Sequence, residues 1–130
     1  MELLRLAADE GLLAQATAFL RTGGEAAGLP EGRLGELDLV VEELFVNVAR
    51  YSGAGVVELR YVTGAGELEA EIADNGRPFD PLTRAEPDLD IPLEMRQVGG
   101  LGIFLVRRMT RAMSYERDAE WNRIRFTIGV

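Results

Sequence analysis

The order of residues predicts an α+β protein, a two-layer α/β sandwich with helices on one face of a sheet built mostly from antiparallel strands. Three observations carry that reading. Apolar residues recur at helical spacing in three separate segments. Short alternating or apolar runs are punctuated by glycine-bearing turns. The strand-like runs fall into groups and do not alternate one-for-one with helices, which separates this pattern from a parallel α/β fold.

The elements follow in order. Leu3–Leu6 reads as a short strand. Asp9 is a suitable N-cap for a helix from Glu10 to Arg21, with Leu12, Leu13, Ala16, Phe19 and Leu20 on its apolar face. Gly23-Gly24 is expected to end it, and Ala27 to Gly32, with Gly28 and Pro30, is expected to be a loop. The clearest helix runs from Glu31 to Tyr51, with a stripe of Leu34, Leu37, Val41, Leu44 and Val48 and a stop at Ser52-Gly53. Val56–Val62 and Leu68–Ala73 read as a hairpin joined by Gly64-Ala65-Gly66. Asp74 to Gly100 holds four of the five prolines and lacks periodicity, and a segment of that length is usually a lid or binding loop. A helix from Leu101 to Met113 is expected next, with Leu101, Phe104, Leu105, Met109 and Ala112 facing inward. Ser114–Arg117 and Arg123–Ile128 are the last strands, with a turn around Asp118 to Asn122.

Composition removes several chemistries. A chain of 130 residues fits one domain, 1–130. There is no Cys and no His, so thiol nucleophiles, zinc-thiolate sites and phosphohistidine are excluded. All 14 basic residues are Arg, so there is no P-loop lysine. The net charge of −8 makes nucleic acid a poor partner. No apolar run approaches the ~20 residues of a membrane span, and the N-terminus has no secretory pattern, so a cytoplasmic protein without direct membrane contact is expected.

Three motifs remain. Glu43 and Asn47 lie at i and i+4 and so share one helix face, beside the apolar stripe. A carboxylate and an amide oxygen at this spacing suit a hard cation such as Mg²⁺, and the carboxylate can also accept a proton. By the same spacing Glu42 falls on another face and is not expected to share a site with Asn47. Taken alone, the pair is better explained as an ordinary solvated helix face. Asp74-Asn75-Gly76-Arg77-Pro78-Phe79 closes a strand and opens the long loop. Asp74 can accept a hydrogen bond from an exocyclic amine, and Gly76 lets a ligand approach the backbone, although Asn-Gly is also an ordinary turn. Gly99-Gly100-Leu101-Gly102 precedes a helix, where small residues and free N–H groups favour phosphate, but a lone glycine cluster is weak evidence. Together and in this order, the three supply cation, base and phosphate contacts for a nucleotide.

This order of motifs resembles the GHKL (Bergerat-fold) ATPase superfamily over nearly the whole chain. Glu43 and Asn47 match its N box, Asp74, Gly76 and Phe79 its first glycine box, and Gly100 and Gly102 its second. The runs from Asp74 to Pro81 and from Gly99 to Met109 look like the RsbW-like branch of anti-sigma-factor serine/threonine kinases. The resemblance implies a mostly antiparallel mixed sheet with three main helices on one face and an ATP lid over about residues 77–100. It implies ATP and Mg²⁺ as cofactors, with Asn47 as metal ligand, Glu43 as general base and Asp74 on the adenine amine. Gly76, Phe79, Gly99, Gly100, Leu101 and Gly102 would complete the nucleotide site. It also implies a STAS-domain antagonist as substrate, a sigma factor as a second partner, and a homodimer. Relatives often carry His where Tyr51 stands, and a small hydroxyl residue on the last strand near the adenine, for which Thr127 is available. Two other functions fit the same motifs: an ATP-ordered module that grips a partner without phosphoryl transfer, and a histidine-kinase-type catalytic domain acting in trans.

Overall fold

The computed structural model describes residues 1–83 and 100–130. Most of the expected lid, together with Gly99 and the side chain of Leu101, lies outside those residues. Five strands form one sheet: β1 (Glu2–Ala7), β2 (Val56–Gly64), β3 (Glu67–Asp74), β4 (Ala112–Asp118) and β5 (Trp121–Gly129). The order across the sheet is β1-β2-β3-β5-β4, and every pairing is antiparallel. The expected mixed sheet is therefore a purely antiparallel one among the described residues. The helices α1 (Leu13–Ala26), α2 (Glu31–Tyr51) and α3 (Gly100–Met109) form the second layer. α1 packs on α2 and over β1–β3, α2 reaches β3 and β5, and α3 packs on α2.

The core lies between the layers. From α2 it takes Leu37, Val41, Leu44 and Phe45, and from the sheet Leu59, Leu68, Ile72, Ile124, Phe126 and Ile128. All five residues of the expected α2 stripe are buried. α2 has the expected bounds. Ser52 Oγ donates to the Val48 carbonyl and accepts from Ala54 N–H, and Gly53 then turns to φ +70, which ends the helix.

Four local expectations are corrected. Asp9 does cap a helix start, accepting from Gly11 N–H, but the first turn (Glu10–Leu12) is 3-10 before α1 begins. Gly23-Gly24 does not end α1. Both glycines are buried inside it, Gly23 against the Tyr61 ring and Gly24 against Leu34 and Leu37. The helix ends at Gly28 (φ +85), where Leu29 N–H bonds the Gly24 carbonyl and Gly28 N–H bonds the Glu25 carbonyl, a Schellman cap. α3 stops at Met109, so Ala112 and Met113 belong to β4. Its buried residues are Ile103 and Val106, while Leu105 is 43% exposed and Ala112 is exposed, because the true helix face is rotated from the expected one. Asn122, expected in a turn, lies within β5.

The glycines of α1 and α2 yield opposite expectations. Replacing a mid-helix glycine by alanine normally gains about 0.8–1 kcal/mol. At Gly35 an added Cβ meets nothing within 4 Å, so Gly35→Ala should stabilise by that amount. At Gly23 the added Cβ falls 2.7–2.9 Å from three atoms of the Tyr61 ring, which itself packs at a tilt against the Phe19 ring with centroids 5.0 Å apart. Overpacking of about 1–3 kcal/mol then outweighs propensity, and urea unfolding should show Gly23→Ala to be the less stable variant.

Candidate functional site

The C-terminal half of α2 is the rail on which the motifs converge. Glu43, Asn47 and Tyr51 follow one another at intervals of four residues, spanning about 12 Å of helix. Burial of Leu44, Phe45 and Val48 beneath them sets the direction in which this edge faces.

Glu43 and Asn47 border a cavity of about 330 Å³, together with Glu10, Leu13, Glu42, Val46, Arg50 and Tyr51. The expectation that Glu42 cannot share this site is corrected: it borders the same cavity from an exposed position. Burial raises the Glu43 carboxyl above its ordinary value of 4.5, the Glu42 charge raises it further, and Arg50 opposes the shift. Arg50 is held by an ion pair with Glu10, donated through Nε. Asn47 is only 5% exposed, and among the described residues its amide nitrogen has no hydrogen-bond partner. A buried orphan donor of this kind costs about 1–3 kcal/mol and marks a place where an acceptor on a ligand, such as a phosphate oxygen, would compensate, while a cation would meet the amide oxygen. The donor set, one carboxylate and one amide, suits Mg²⁺, which takes few protein ligands. Among the described residues no cluster of three or more His, Cys, Asp or Glu is arranged to hold a metal.

One turn further along α2 comes the Asp74 turn. Asp74 ends β3 at 2% exposure, and its Oδ1 accepts from Gly76 N–H (2.9 Å) and from Asn122 Nδ2 (3.0 Å). A Cβ on Gly76 would lie 2.3 Å from the Ser52 carbonyl oxygen, so only glycine lets this turn sit against the end of α2. Arg77 fastens it there, its N–H donating to the Ser52 carbonyl and its guanidinium to the Tyr51 carbonyl at 2.6 Å. Asn75 Oδ1 accepts from Gly55 and Val56 N–H, which braces the other side. The rings of Phe79 and Tyr51 lie 6.2 Å apart.

The glycine-rich entry meets the first motif directly. α3 begins at Gly100, and a Cβ on Gly102 would fall 2.0 Å from Glu43 Oε2. The structure therefore brings Glu43, Asn47 and Gly102 together, and ties Asp74, Gly76 and Phe79 to the same helix through Tyr51 and Ser52. Gly99 and the side chain of Leu101 fall outside the described residues.

Sequence reasoning read Ser52 only as a helix stop and Asn122 only as a turn residue, and it missed their contacts in the site and the Glu10–Arg50 pair. Asn122 faces Asp74 across β3 and β5, a non-local register that no local signal reveals. Thr127 pairs with Glu69, about 17 Å along the strand from Asp74, so it does not reach that turn. A larger cavity of about 490 Å³ lies against β2, β3, β4 and β5, but no motif residue lines it. Its buried carboxylate, Glu71, is already paired with Arg125 (2.9 Å) and Arg123 (3.3 Å), so the smaller cavity is the better functional candidate.

Comparison with known proteins agrees with this geometry. The model of the histidine kinase-like ATPase domain family matches residues 6–128. The serine/threonine-protein kinase BtrW of Bordetella bronchiseptica is 39% identical over 61 residues, covering 47% of this chain and 43% of BtrW. The serine-protein kinase RsbW of Listeria monocytogenes is 29% identical over 91 residues, covering 64% of this chain and 58% of RsbW. The chain thus spans about half the length of these curated relatives. Among solved structures, the RsbU and RsbW domains of Rv1364c from Mycobacterium tuberculosis match 99% of this chain and 32% of that one, with a TM-score of 0.62 at 14% identity. The histidine kinase domain of an Erythrobacter litoralis blue-light activated histidine kinase matches 95% of this chain and 61% of that one, with a TM-score of 0.57 at 17% identity. At those identities the structures speak for the fold alone. With a family model matched over nearly its whole length and the three motifs gathered on α2, the chain belongs to the histidine kinase-like ATPase domain family.

Proposed function

We propose that this chain is an ATP-dependent serine/threonine protein kinase of the RsbW type, which phosphorylates a STAS-domain antagonist and holds a sigma factor inactive, working as a homodimer. The observation that carries the reading is the Glu43 carboxylate. It is partly desolvated, beside the unpartnered Asn47 amide, and in contact with the α3 entry at Gly102. The names of BtrW and RsbW, both serine or serine/threonine kinases, support the same class.

In this reading Asp74 accepts a hydrogen bond from the adenine amine, and Gly76 keeps the turn that carries Asp74 seated against the end of α2. The N–H groups at the start of α3 meet the phosphates. Mg²⁺, held in part by Asn47, would neutralise phosphate charge. Glu43 takes the proton from the acceptor hydroxyl as the γ-phosphoryl group moves to that oxygen and ADP departs. Phosphoryl transfer depends mainly on positioning and charge, so this sparse set suffices. A raised carboxyl pKa makes Glu43 a stronger base than a solvated glutamate.

The direct test mixes the protein with Mg-ATP and a STAS-domain partner that binds it. Label should appear on a Ser or Thr, and Glu43→Ala should cut transfer by about 10²–10⁴-fold while nucleotide stays bound. A partner that binds but is never labelled sinks the kinase reading. If Glu43→Ala leaves control of the partner intact, the chain is instead a nucleotide-ordered grip.

The same carboxyl predicts a pH-dependent stability. Folding raises its pKa, so its contribution is fully present below the ordinary value of 4.5 and is lost as pH rises through the folded value. Glu43→Gln should therefore melt above wild type at neutral pH, and the gap should close as pH falls below 4.5.

Two glycine variants separate site from scaffold. In Gly102→Ala the obstructing group is the free end of the Glu43 side chain, which swings away, so the fold persists while transfer falls by about a hundredfold. In Gly76→Ala the obstruction is the Ser52 backbone, so chemical denaturation should show a loss of about 1–3 kcal/mol.

A further inference from the structure

The helix-facing side of β3 and β5 is apolar rung by rung until its last rung. Leu68 faces Ile128, Ala70 faces Phe126 and Ile72 faces Ile124, and then Asp74 faces Asn122. Asn122 is 1% exposed, yet all four of its hydrogen-bonding positions are used. Nδ2 donates to Asp74 Oδ1 at 3.0 Å and to the Arg77 carbonyl at 2.7 Å. Oδ1 accepts from Phe79 N–H at 3.2 Å and from the Tyr115 hydroxyl at 2.5 Å. Turning the amide over would set its oxygen against two acceptors and its nitrogen against the Phe79 N–H, so only one orientation satisfies the site.

This arrangement has a consequence for Asp74. Its Oδ1 takes one donor from Gly76 and one from Asn122, and is thereby occupied. Among the described residues no donor reaches Oδ2, and the carboxyl cannot rotate to exchange its oxygens without breaking both bonds. Asn122 has no capacity left for a ligand of its own. By holding Arg77 and Phe79 it also fixes the backbone that leads from the Asp74 turn toward the lid.

We propose that Asn122 is the specificity-positioning residue of the nucleotide site. It locks Asp74 so that a single oxygen is offered as an acceptor, which selects a purine carrying an exocyclic amine over one carrying a carbonyl at the same place. This rests on the reading of Asp74 as the base contact. Nothing adjacent in sequence marks the role, and neither serine nor threonine at position 122 has enough hydrogen-bonding positions to make all four bonds.

The test measures binding of ADP, inosine diphosphate and inorganic tripolyphosphate by calorimetry, on wild type and on Asn122→Ser. Wild type should prefer ADP over inosine diphosphate by about tenfold or more. Asn122→Ser should shrink that preference to about threefold or less, with tripolyphosphate binding unchanged. A merely structural Asn122 would weaken all three ligands in parallel, and that outcome, or an undiminished preference in the folded variant, overturns the proposal. If the variant does not fold, the wild-type protein still decides: the Asn122 side-chain amide resonances should shift strongly with ADP and little with tripolyphosphate, and equal shifts would count against the idea. Wild-type protein that binds no nucleotide overturns the site reading as well, which distinguishes that failure from a loss confined to Asn122.

Discussion

Burial of one face of α2 is the constraint from which the rest of the site follows. Leu37, Val41, Leu44, Phe45 and Val48 must leave water, and the sheet offers them one apolar layer to enter. Once that face is committed, helical geometry leaves no freedom in where Glu43, Asn47 and Tyr51 emerge. They come out at the margin of the core, with Glu43 and Tyr51 half-buried and Asn47 buried. There burial raises the pKa of the Glu43 carboxyl, and among the described residues the buried Asn47 amide nitrogen has no hydrogen-bond partner.

The second constraint is close approach. Two segments distant in sequence reach α2 at glycines, and one of them also through hydrogen bonds to its backbone. Gly102 lies against Glu43, Gly76 against Ser52, and Arg77 donates into the last carbonyls of the helix. A side chain at Gly76 would hold its turn away from the helix, whereas one at Gly102 would displace the end of the Glu43 side chain. The backbone groups freed at the end of α2 are thus satisfied by the turn that carries Asp74, which joins helix termination and site assembly in one set of bonds.

How much of this was legible in the sequence depended on range. The α2 stripe and its stop at Ser52-Gly53 were readable because helical periodicity and left-handed glycine are local properties. Glu43, Asn47, Asp74, Gly76 and Gly102 were readable because spacing and order within motifs survive without coordinates. The glycine pair of α1 misled for a physical reason: glycine marks either a helix end or a tight contact, and the Tyr61 ring that decides the matter comes from β2. The face of α3 misled because its short apolar run fits more than one helical phase, and packing on α2 selected Ile103 and Val106.

By itself the sequence determined which segments become helices and strands, which chemistries were excluded by the lack of Cys, His and Lys, and which residues could serve a nucleotide. Only the tertiary structure decided that Asn122 rather than Thr127 stands across from Asp74, that Glu42 joins the cavity, and that Glu43 is desolvated and pressed by Gly102. The division has one cause. Periodicity and capping act over a few residues along the chain, whereas strand register, burial and close contact are set by segments that meet only after the core has formed.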